Sequence, residues 1–222
     1  MARWAPVVGG ANKQLITKGN ILYLFAASAN ERWAQVVYRA VACSTLLTRR
    51  PRLFIILAGL PGVGKTMIEK KLVNHLGATY LRVDTIEQAI ERSSLEIEAV
   101  AETGYLVGYA IAEDNLAAGR IVVADSVNPI ELSRQGWRDV AIQTQRNFVE
   151  IEIICTNQEQ HRQRVEQRRS DIDGHVLPSW QAVLSHEYHP WSRDHIVIDT
   201  ADKSVDQSFD ELLAQLPDAK AL

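Results

Sequence analysis

The segment from residue 53 to residue 66, LFIILAGLPGVGKT, decides the fold of this chain. Its first six residues, Leu53–Ala58, form an unbroken apolar run, which is typical of a β-strand buried on both faces. The next eight match the pattern G-x-x-x-x-G-K-[ST] in full. Glycines let backbone N–H groups curl around an anion, and the helix that follows directs its positive end at the same place. The segment therefore predicts a strand, a phosphate-binding loop and a helix.

The chemistry of this loop predicts that it binds ATP together with Mg²⁺. The Lys65 ammonium is placed to reach the β- and γ-phosphates, and the Thr66 hydroxyl is placed to coordinate Mg²⁺. We expect the backbone of the other loop residues to hold the phosphates. The residues predicted to bind the nucleotide here are Gly59, Leu60, Pro61, Gly62, Val63, Gly64, Lys65 and Thr66.

Downstream of the loop, short apolar runs alternate with amphipathic helical segments. Strands separated by helices pair in parallel through right-handed crossovers. We therefore predict an α/β fold, a three-layer α/β/α sandwich around a five-stranded parallel sheet. The predicted strands are Leu53–Ala58, Thr79–Val83, Ile121–Ala124, Val149–Cys155 and His195–Ile198.

Residues 1–50 lack this alternation and are predicted to be an N-terminal extension of a domain that spans residues 51–222. Apolar residues at helical spacing predict one amphipathic helix over residues 30–48. The apolar run Ile21–Ala29, which faintly resembles a signal peptide, is shorter than the roughly 18 residues of a membrane span. Because ATP is a cytosolic resource, we expect a cytoplasmic protein without a membrane partner.

Composition and charge exclude several classes of protein. With 222 residues, 46% of them hydrophobic, the chain is long enough to bury a core. The 24 lysines and arginines against 27 acidic residues give a net charge of −3, which disfavours a broad nucleic-acid surface. Cys43 and Cys155 lack the spacing of a disulfide framework or a zinc site. The sequence leaves the oligomeric state open.

The sequence favours phosphoryl transfer over a GTP switch or a mechanical ATPase. The guanine-binding tetrad N-K-x-D does not occur. D-x-x-G occurs at residues 171–174 without a preceding strand, and we interpret it as a coincidental turn. Asp125 is followed by Ser126 rather than by a glutamate that could polarise water. This pattern disfavours hydrolysis and indicates transfer to another acceptor.

Two aspartates are predicted at strand ends, the edge where ligands of parallel sheets bind. Asp84 follows the second strand and Asp125 follows the third. Either carboxylate could accept the proton of an acceptor hydroxyl, while the other orients the substrate or holds Mg²⁺ through a water. A cap on the next helix is the alternative role for each. The sequence leaves open which of the two is the general base.

A basic segment after the fourth strand predicts a lid, about residues 158–190. Arg164 and Arg168 are four residues apart and are expected to share one helix face. Guanidinium groups stabilise the charge that develops on a transferred phosphoryl group. The alternative is a solvated face balanced by Glu159 and Glu166. Which lid arginines contact the phosphates stays open.

The motifs GLPGVGKT, LRVDT, VADSVNP and HRQRVEQR resemble those of one group of P-loop kinases, over about residues 52–216. That group includes chloramphenicol phosphotransferase, the zeta toxins, gluconate kinase and the kinase domain of polynucleotide kinase, and the chain is most similar to its short bacterial AAA-domain ATP-binding proteins. The resemblance implies sheet order 2-3-1-4-5, Asp84 as general base and ATP-binding lid arginines at Arg164 and Arg168. It also implies that Asp199 and Thr200 lie near the adenine.

The sequence thus predicts an ATP- and Mg²⁺-dependent phosphotransferase that acts on a hydroxyl group of a small molecule. The residues expected to carry catalysis are Lys65, Asp84, Asp125, Arg164 and Arg168. One alternative is a 5′-hydroxyl polynucleotide kinase, which the net charge disfavours. Another is an ATP-binding regulatory protein without productive transfer. The acceptor itself is not indicated by any motif.

Overall fold

The structure, a computed structural model of the chain, describes residues 14–18, 21–25, 53–94 and 100–217. The chain divides into two compact units, residues 1–49 and 50–222. In the first unit, β1 (Gln14–Lys18) and β2 (Ile21–Phe25) pair as antiparallel strands. This pair was not predicted, although the dipeptide Gly19-Asn20 between the two apolar runs is a common hairpin signal. The helix predicted over residues 30–48 lies outside the described residues, and the division into domains 1–50 and 51–222 stays a proposal.

The second unit alternates strands with helices along the chain, as the sequence predicts. Its elements in chain order are β3 (Leu53–Ala58), α1 (Lys65–Leu76), β4 (Thr79–Arg82), α2 (Val83–Glu91), α3 (Val100–Ala117), β5 (Val122–Asp125), α4 (Glu131–Gln143), β6 (Asn147–Ile154), α5 (Gln158–Gln167), α6 (Trp180–Leu184), β7 (Ile196–Asp199) and α7 (Val205–Gln215).

The sheet has five parallel strands in the order β4-β5-β3-β6-β7. Numbered from β3 along the chain, this order is 2-3-1-4-5. The predicted fold class and strand order are therefore confirmed. Because β3 is the central strand, the loop that follows it emerges in the middle of the carboxyl edge of the sheet, where ligands of such sheets bind.

Two apolar layers sandwich this sheet. On β3, Ile55 and Leu57 face a cluster with helices α1 and α7, while Phe54 and Ile56 face a cluster with α3 and α4. This alternation follows from the two-residue period of a strand. All six residues of β3 are buried, as its unbroken apolar run predicts. Within the described parts of the chain, no helix combines the length and apolar character that a membrane crossing requires.

Two boundaries differ from the prediction in ways that affect the site. β4 ends at Arg82 and α2 begins directly at Val83, so Asp84 lies in the first turn of a helix rather than at the end of the strand. α5 ends at Gln167, and Arg168 is its C-cap residue in an extended conformation. Neither junction contains a glycine or a proline that would have marked it in the sequence.

Because the sheet is tightly packed, removing a single methylene group from a buried side chain should lower the free energy of unfolding by a small but measurable amount. Ile151 of β6 is fully buried beside β3, so Ile151→Val should lower the free energy of unfolding by about 0.5–1.5 kcal/mol. Ile142 of α4 is 64% exposed, and Ile142→Val should leave that free energy unchanged. Urea unfolding of both variants measures the difference. Equal stabilities would contradict the packing described here.

Candidate active site

The phosphate-binding loop between β3 and α1 has a backbone that only glycine adopts easily. Gly59, Gly62 and Gly64 have φ angles of +135°, +87° and +103°. A Cβ atom at Gly59 would lie 2.2 Å from the Ile153 carbonyl oxygen, and one at Gly62 would lie 2.4 Å from Val165 Cγ2. The loop therefore forms a cradle at the N-terminus of α1, where polyphosphate oxygens can meet backbone N–H groups.

The lid helix α5 and the residue after β7 brace this cradle from one side. The Arg164 guanidinium donates to the Thr200 hydroxyl at 2.8 Å and to the Thr200 carbonyl at 3.1 Å. The Thr200 hydroxyl in turn donates to the carbonyl oxygen of Val63 in the loop, at 2.6 Å. Thr200 is thus buried beneath the loop, and its predicted contact with adenine stays a prediction.

His161 of α5 supports the same loop and was missed by the sequence analysis. A ring nitrogen of His161 lies 2.9 Å from the carbonyl oxygen of Pro61. Burial lowers the pKa of His161, which favours the neutral imidazole. A neutral ring with one N–H can donate to this carbonyl. The sequence analysis interpreted the segment around His161 by its arginines alone, so it assigned His161 no structural role.

Beneath the cradle, the buried Asp125 carboxylate faces the loop lysine. Lys65 Nζ lies 3.9 Å from Asp125 Oδ1. The other oxygen, Oδ2, accepts a hydrogen bond from the Tyr80 hydroxyl at 2.9 Å and lies 3.6 Å from Arg82 Nε. Tyr80 and Arg82 therefore fix the orientation of Asp125 and leave Oδ1 directed towards the phosphate-binding side.

Glu69 of α1 is a second acid in this cluster, and it is fully buried. Burial and the charge of Asp125 raise the pKa of Glu69 well above its ordinary value, which favours the protonated form. Glu69 Oε2 lies 3.3 Å from the Tyr80 hydroxyl oxygen. The hydroxyl has one proton, so it can donate to Asp125 while it accepts from protonated Glu69. Sequence analysis missed Glu69 because it lies beside the apolar residue Ile68 in an ordinary helix.

Asp84 differs from Asp125 in its access to solvent. The Asp84 side chain is 34% exposed, whereas that of Asp125 is 5% exposed. Asp84 Oδ2 lies 3.5 Å from Arg82 Nη2. Arg82, which the sequence analysis did not single out, therefore contacts both predicted aspartates and holds them at one edge of the sheet.

One cavity of about 700 Å³ brings most of the predicted site residues together. Those that line it are Pro61, Gly62, Gly64, Lys65, Thr66, Asp84, Asp125, Arg164, Arg168 and Thr200, whereas Gly59, Leu60 and Val63 do not. Asp199 does not line it, and its carboxylate accepts hydrogen bonds from the Thr156 and Ala201 backbone N–H groups at 3.1 and 3.0 Å. Asp199 therefore shapes the turn after β7 in this structure.

Arg168 lines the cavity as a half-buried cation. Its Nε atom has no hydrogen-bond partner among the described residues. Burial lowers the pKa of Arg168, an effect that the nearby carboxylate of Asp84 opposes. An arginine in this condition can gain an anionic partner without first losing one at Nε.

The turn that carries the D-x-x-G sequence contributes one residue to the cavity, and its interpretation as a coincidental match to a GTP-switch motif stays a prediction. Asp171 lines the cavity and accepts hydrogen bonds from Arg82 Nη1 at 2.8 Å and from Lys70 Nζ at 2.9 Å. These two cations hold the pKa of Asp171 far below its ordinary range. No sequence signal places this turn opposite the end of β4, because that proximity arises from the tertiary fold.

The donor set of the cavity fits Mg²⁺ bound together with a polyphosphate. Within the described ranges, no group of three or more His, Cys, Asp or Glu residues could hold a metal ion by itself. Mg²⁺ is commonly bound by one or two protein oxygens together with phosphate oxygens and water. Thr66 and Asp125, which both line the cavity, supply oxygens of this kind beside the glycine cradle.

Comparisons with known proteins agree with this architecture. A model of the AAA domain family matches residues 54–186. A protein of Saccharolobus solfataricus whose name provisionally assigns it to the adenylate kinases is 27% identical over 142 residues, covering 54% of this chain and 74% of that protein.

Two solved structures share the fold. A protein of Chloroflexus aurantiacus, provisionally described as a kinase, has a TM-score of 0.60 at 17% identity. The match covers 76% of this chain and 100% of the Chloroflexus chain. The APS kinase of Mycobacterium tuberculosis, solved with AMPPNP and APS, has a TM-score of 0.51 at 18% identity. The match covers 74% of this chain and 97% of the APS kinase chain. The family match spans more than half of the chain, including the phosphate-binding loop and most of the lid. The chain therefore belongs to the AAA domain family.

Proposed function

We propose that this protein is an ATP-dependent phosphotransferase that moves the γ-phosphoryl group of ATP to a hydroxyl group of a small molecule. The observation that carries this proposal is the shared cavity, in which the glycine cradle, Lys65, two aspartates and the lid arginines meet. The cradle and Lys65 are suited to the triphosphate, and the Arg168 guanidinium is suited to charge that develops on the transferred group.

In this proposal the two aspartates have different roles because their surroundings differ. Asp84 lines the cavity and is partly exposed, so its carboxylate can accept the proton of an acceptor hydroxyl. The acceptor oxygen then forms a bond to the γ-phosphorus as the bond from that phosphorus to the bridging oxygen breaks, which leaves ADP. Asp125 is fixed by Tyr80 and is suited to hold Mg²⁺ through a water. When bound, Mg²⁺ would neutralise charge on the β- and γ-phosphates.

The absence of a glutamate after Asp125 supports transfer rather than hydrolysis. The next residue is Ser126, whose side chain is buried and cannot carry a negative charge. Tyr80, Arg82 and Lys65 occupy the other positions around the Asp125 carboxylate. The second acid near Asp125, Glu69, is fully buried, and its raised pKa favours the protonated form, so it is not suited to activate an attacking water.

Transfer of label from γ-labelled ATP to a panel of acceptors tests the proposal. The panel includes sugars, aminoalcohols, nucleosides and, because of the relative's name, AMP, together with a 5′-hydroxyl oligonucleotide. We expect label to move to a small molecule at a rate well above its release as phosphate. Transfer to the oligonucleotide alone would favour the polynucleotide kinase alternative. ATP binding with equally slow phosphate release in every mixture, and no transfer, would favour a regulatory protein.

A further inference from the structure

The strongest feature outside the proposed catalytic roles is a pair of cations on two elements of the second unit. Lys70 on α1 and Arg82 at the end of β4 each donate to a different oxygen of Asp171, at 2.9 and 2.8 Å. We name this pair, Lys70 and Arg82, the anion seat. It lines the same cavity as the phosphate-binding loop. The protein therefore has a place for a bidentate anion that a side chain of its own fills.

The anion seat belongs to regular elements, whereas its occupant does not. Lys70 lies within a 12-residue helix, and Arg82 ends a strand of the central sheet. Asp171 lies in residues 168–179, which contain no helix or strand. The Asp171 and Lys70 side chains are 42% and 50% exposed, and an ion pair with such exposure contributes little to stability, whereas the Arg82 side chain is 14% exposed. A ligand anion can thus replace Asp171 without disturbing the core.

The charge of the cavity also indicates an additional anion. Seven lysine and arginine side chains line it against three aspartates, a formal excess of four positive charges in a chain whose net charge is −3. A triphosphate bound with Mg²⁺ balances part of this excess. Clefts with one sign of charge concentrate ligands of the opposite sign. The half-buried Arg168, whose Nε has no partner among the described residues, also lines this cavity, and the charges of Asp84 and Arg82 act on its pKa.

The position of the anion seat connects it to the proposed transfer step. Arg82 Nη1 faces Asp171, while Nη2 of the same guanidinium lies 3.5 Å from Asp84 Oδ2. A group held by Arg82 in place of Asp171 is therefore close to the carboxylate that we propose as general base. An acceptor anchored there by an anion can present a hydroxyl group to Asp84.

We propose that the acceptor carries a phosphate group and that this group displaces Asp171 from the anion seat. The inference rests on the proposed function and names the acceptor class for the same site. A phosphate monoester carries about −1.5 to −2 charge at neutral pH and three acceptor oxygens, so it competes with a single carboxylate for two cations. In this proposal Asp171 acts as an internal competitor that keeps the two cations paired until such an acceptor binds.

Binding of inorganic phosphate to the protein saturated with AMPPNP and Mg²⁺ tests the anion seat directly. While Asp171 is paired with Lys70 and Arg82, a protein molecule cannot bind phosphate at the anion seat. Asp171→Asn removes this competition, so it should tighten phosphate binding by about tenfold. Calorimetry measures the dissociation constant of phosphate, and Asp171→Ser should tighten phosphate binding in the same way. The matched control is Asp173→Asn, because Asp173 lies in the same loop and pairs with Arg92, and neither residue lines the cavity. Asp173→Asn should leave phosphate affinity unchanged.

A second arm separates free phosphate from a phosphate ester on the acceptor. Transfer rates are compared for a nucleoside and its 5′-monophosphate, and Asp171→Asn should lower the KM for the monophosphate alone. Phosphate binding that tightens without this KM difference would identify a site for free phosphate and overturn the acceptor proposal. Equal effects of Asp171→Asn and Asp173→Asn would show loosening of the loop and overturn the anion seat. Failure of AMPPNP to bind would instead refute the proposed function, so the two failures are distinguishable.

Discussion

Lys65→Ala is expected to reduce phosphoryl transfer by about 10²–10³-fold, because it removes a preorganised cation aimed at the charge that develops during transfer. Lys65 is placed for this role by two features. It is the first residue of α1, and its side chain is 12% exposed inside the cavity. Its ammonium lies 3.9 Å from Asp125 Oδ1, so the loss also leaves that buried carboxylate without its nearest lysine. Steady-state transfer with saturating ATP measures the change.

A lysine elsewhere on the same helix provides the control. Lys71 is 42% exposed, pairs with the exposed Asp206 and does not line the cavity. Lys71→Ala should therefore retain transfer at the rate of the unaltered protein. Comparable losses in Lys65→Ala and Lys71→Ala would mean that α1 had been perturbed as a whole. Full activity in Lys65→Ala would contradict the role proposed for this lysine.

The fold could be predicted from the sequence because its signals are local and agree with one another. The apolar run at residues 53–58 gives a buried strand, and the glycine-rich loop fixes where the next helix begins. The strand order itself came from the resemblance, since periodicity along one chain does not specify which strands become neighbours. The β1–β2 pair was missed because the apolar run Ile21–Ala29 was compared with a signal peptide, and the hairpin signal Gly19-Asn20 before it was overlooked.

The candidate site was predictable only in part, for a different physical reason. The residues of the phosphate-binding loop are specified by contiguous sequence. Tyr80, in contrast, lies 45 residues before Asp125 in the chain, and Asp171 lies 46 residues after it. Their contacts are set by tertiary folding. Glu69 illustrates the same limit, because an acid in an amphipathic helix ordinarily faces water. Here it is fully buried under Tyr80, which no residue near it in sequence indicates.

The structure sharpens the choice between the two aspartates that the sequence left open. Asp125 accepts from Tyr80 and lies near Lys65 and Arg82, so its carboxylate has partners on both oxygens. Asp84 has Arg82 at 3.5 Å and Arg168 nearby, and it keeps a third of its side chain exposed. A general base needs access to the acceptor hydroxyl, which favours Asp84. A fixed orientation suits a carboxylate that holds Mg²⁺ through a water, which favours Asp125.

Substituting each aspartate by asparagine distinguishes the two roles, because one substitution should change kcat and the other should change the Mg²⁺ requirement. Asp84→Asn should lower kcat by about 10²–10⁴-fold with little change in the Mg²⁺ concentration that gives half-maximal rate, since it removes only the proton acceptor. Asp125→Asn should raise that Mg²⁺ concentration by about 10–100-fold, the usual effect of losing an outer-shell partner of a metal. Transfer rates titrated with Mg²⁺ at saturating ATP provide both quantities.

The control for Asp84→Asn lies on the same helix. Glu91 of α2 is exposed and does not line the cavity, so Glu91→Gln removes a carboxylate of α2 without reaching the site. Its kcat should match that of the unaltered protein. Asp84 also lies in the first turn of α2, where a negative charge stabilises a helix by about 0.3–1 kcal/mol. A small drop in Tm is therefore expected for Asp84→Asn, and it cannot account for a hundredfold loss of kcat. If Asp84→Asn keeps its kcat while Asp125→Asn loses it at saturating Mg²⁺, Asp125 is the base.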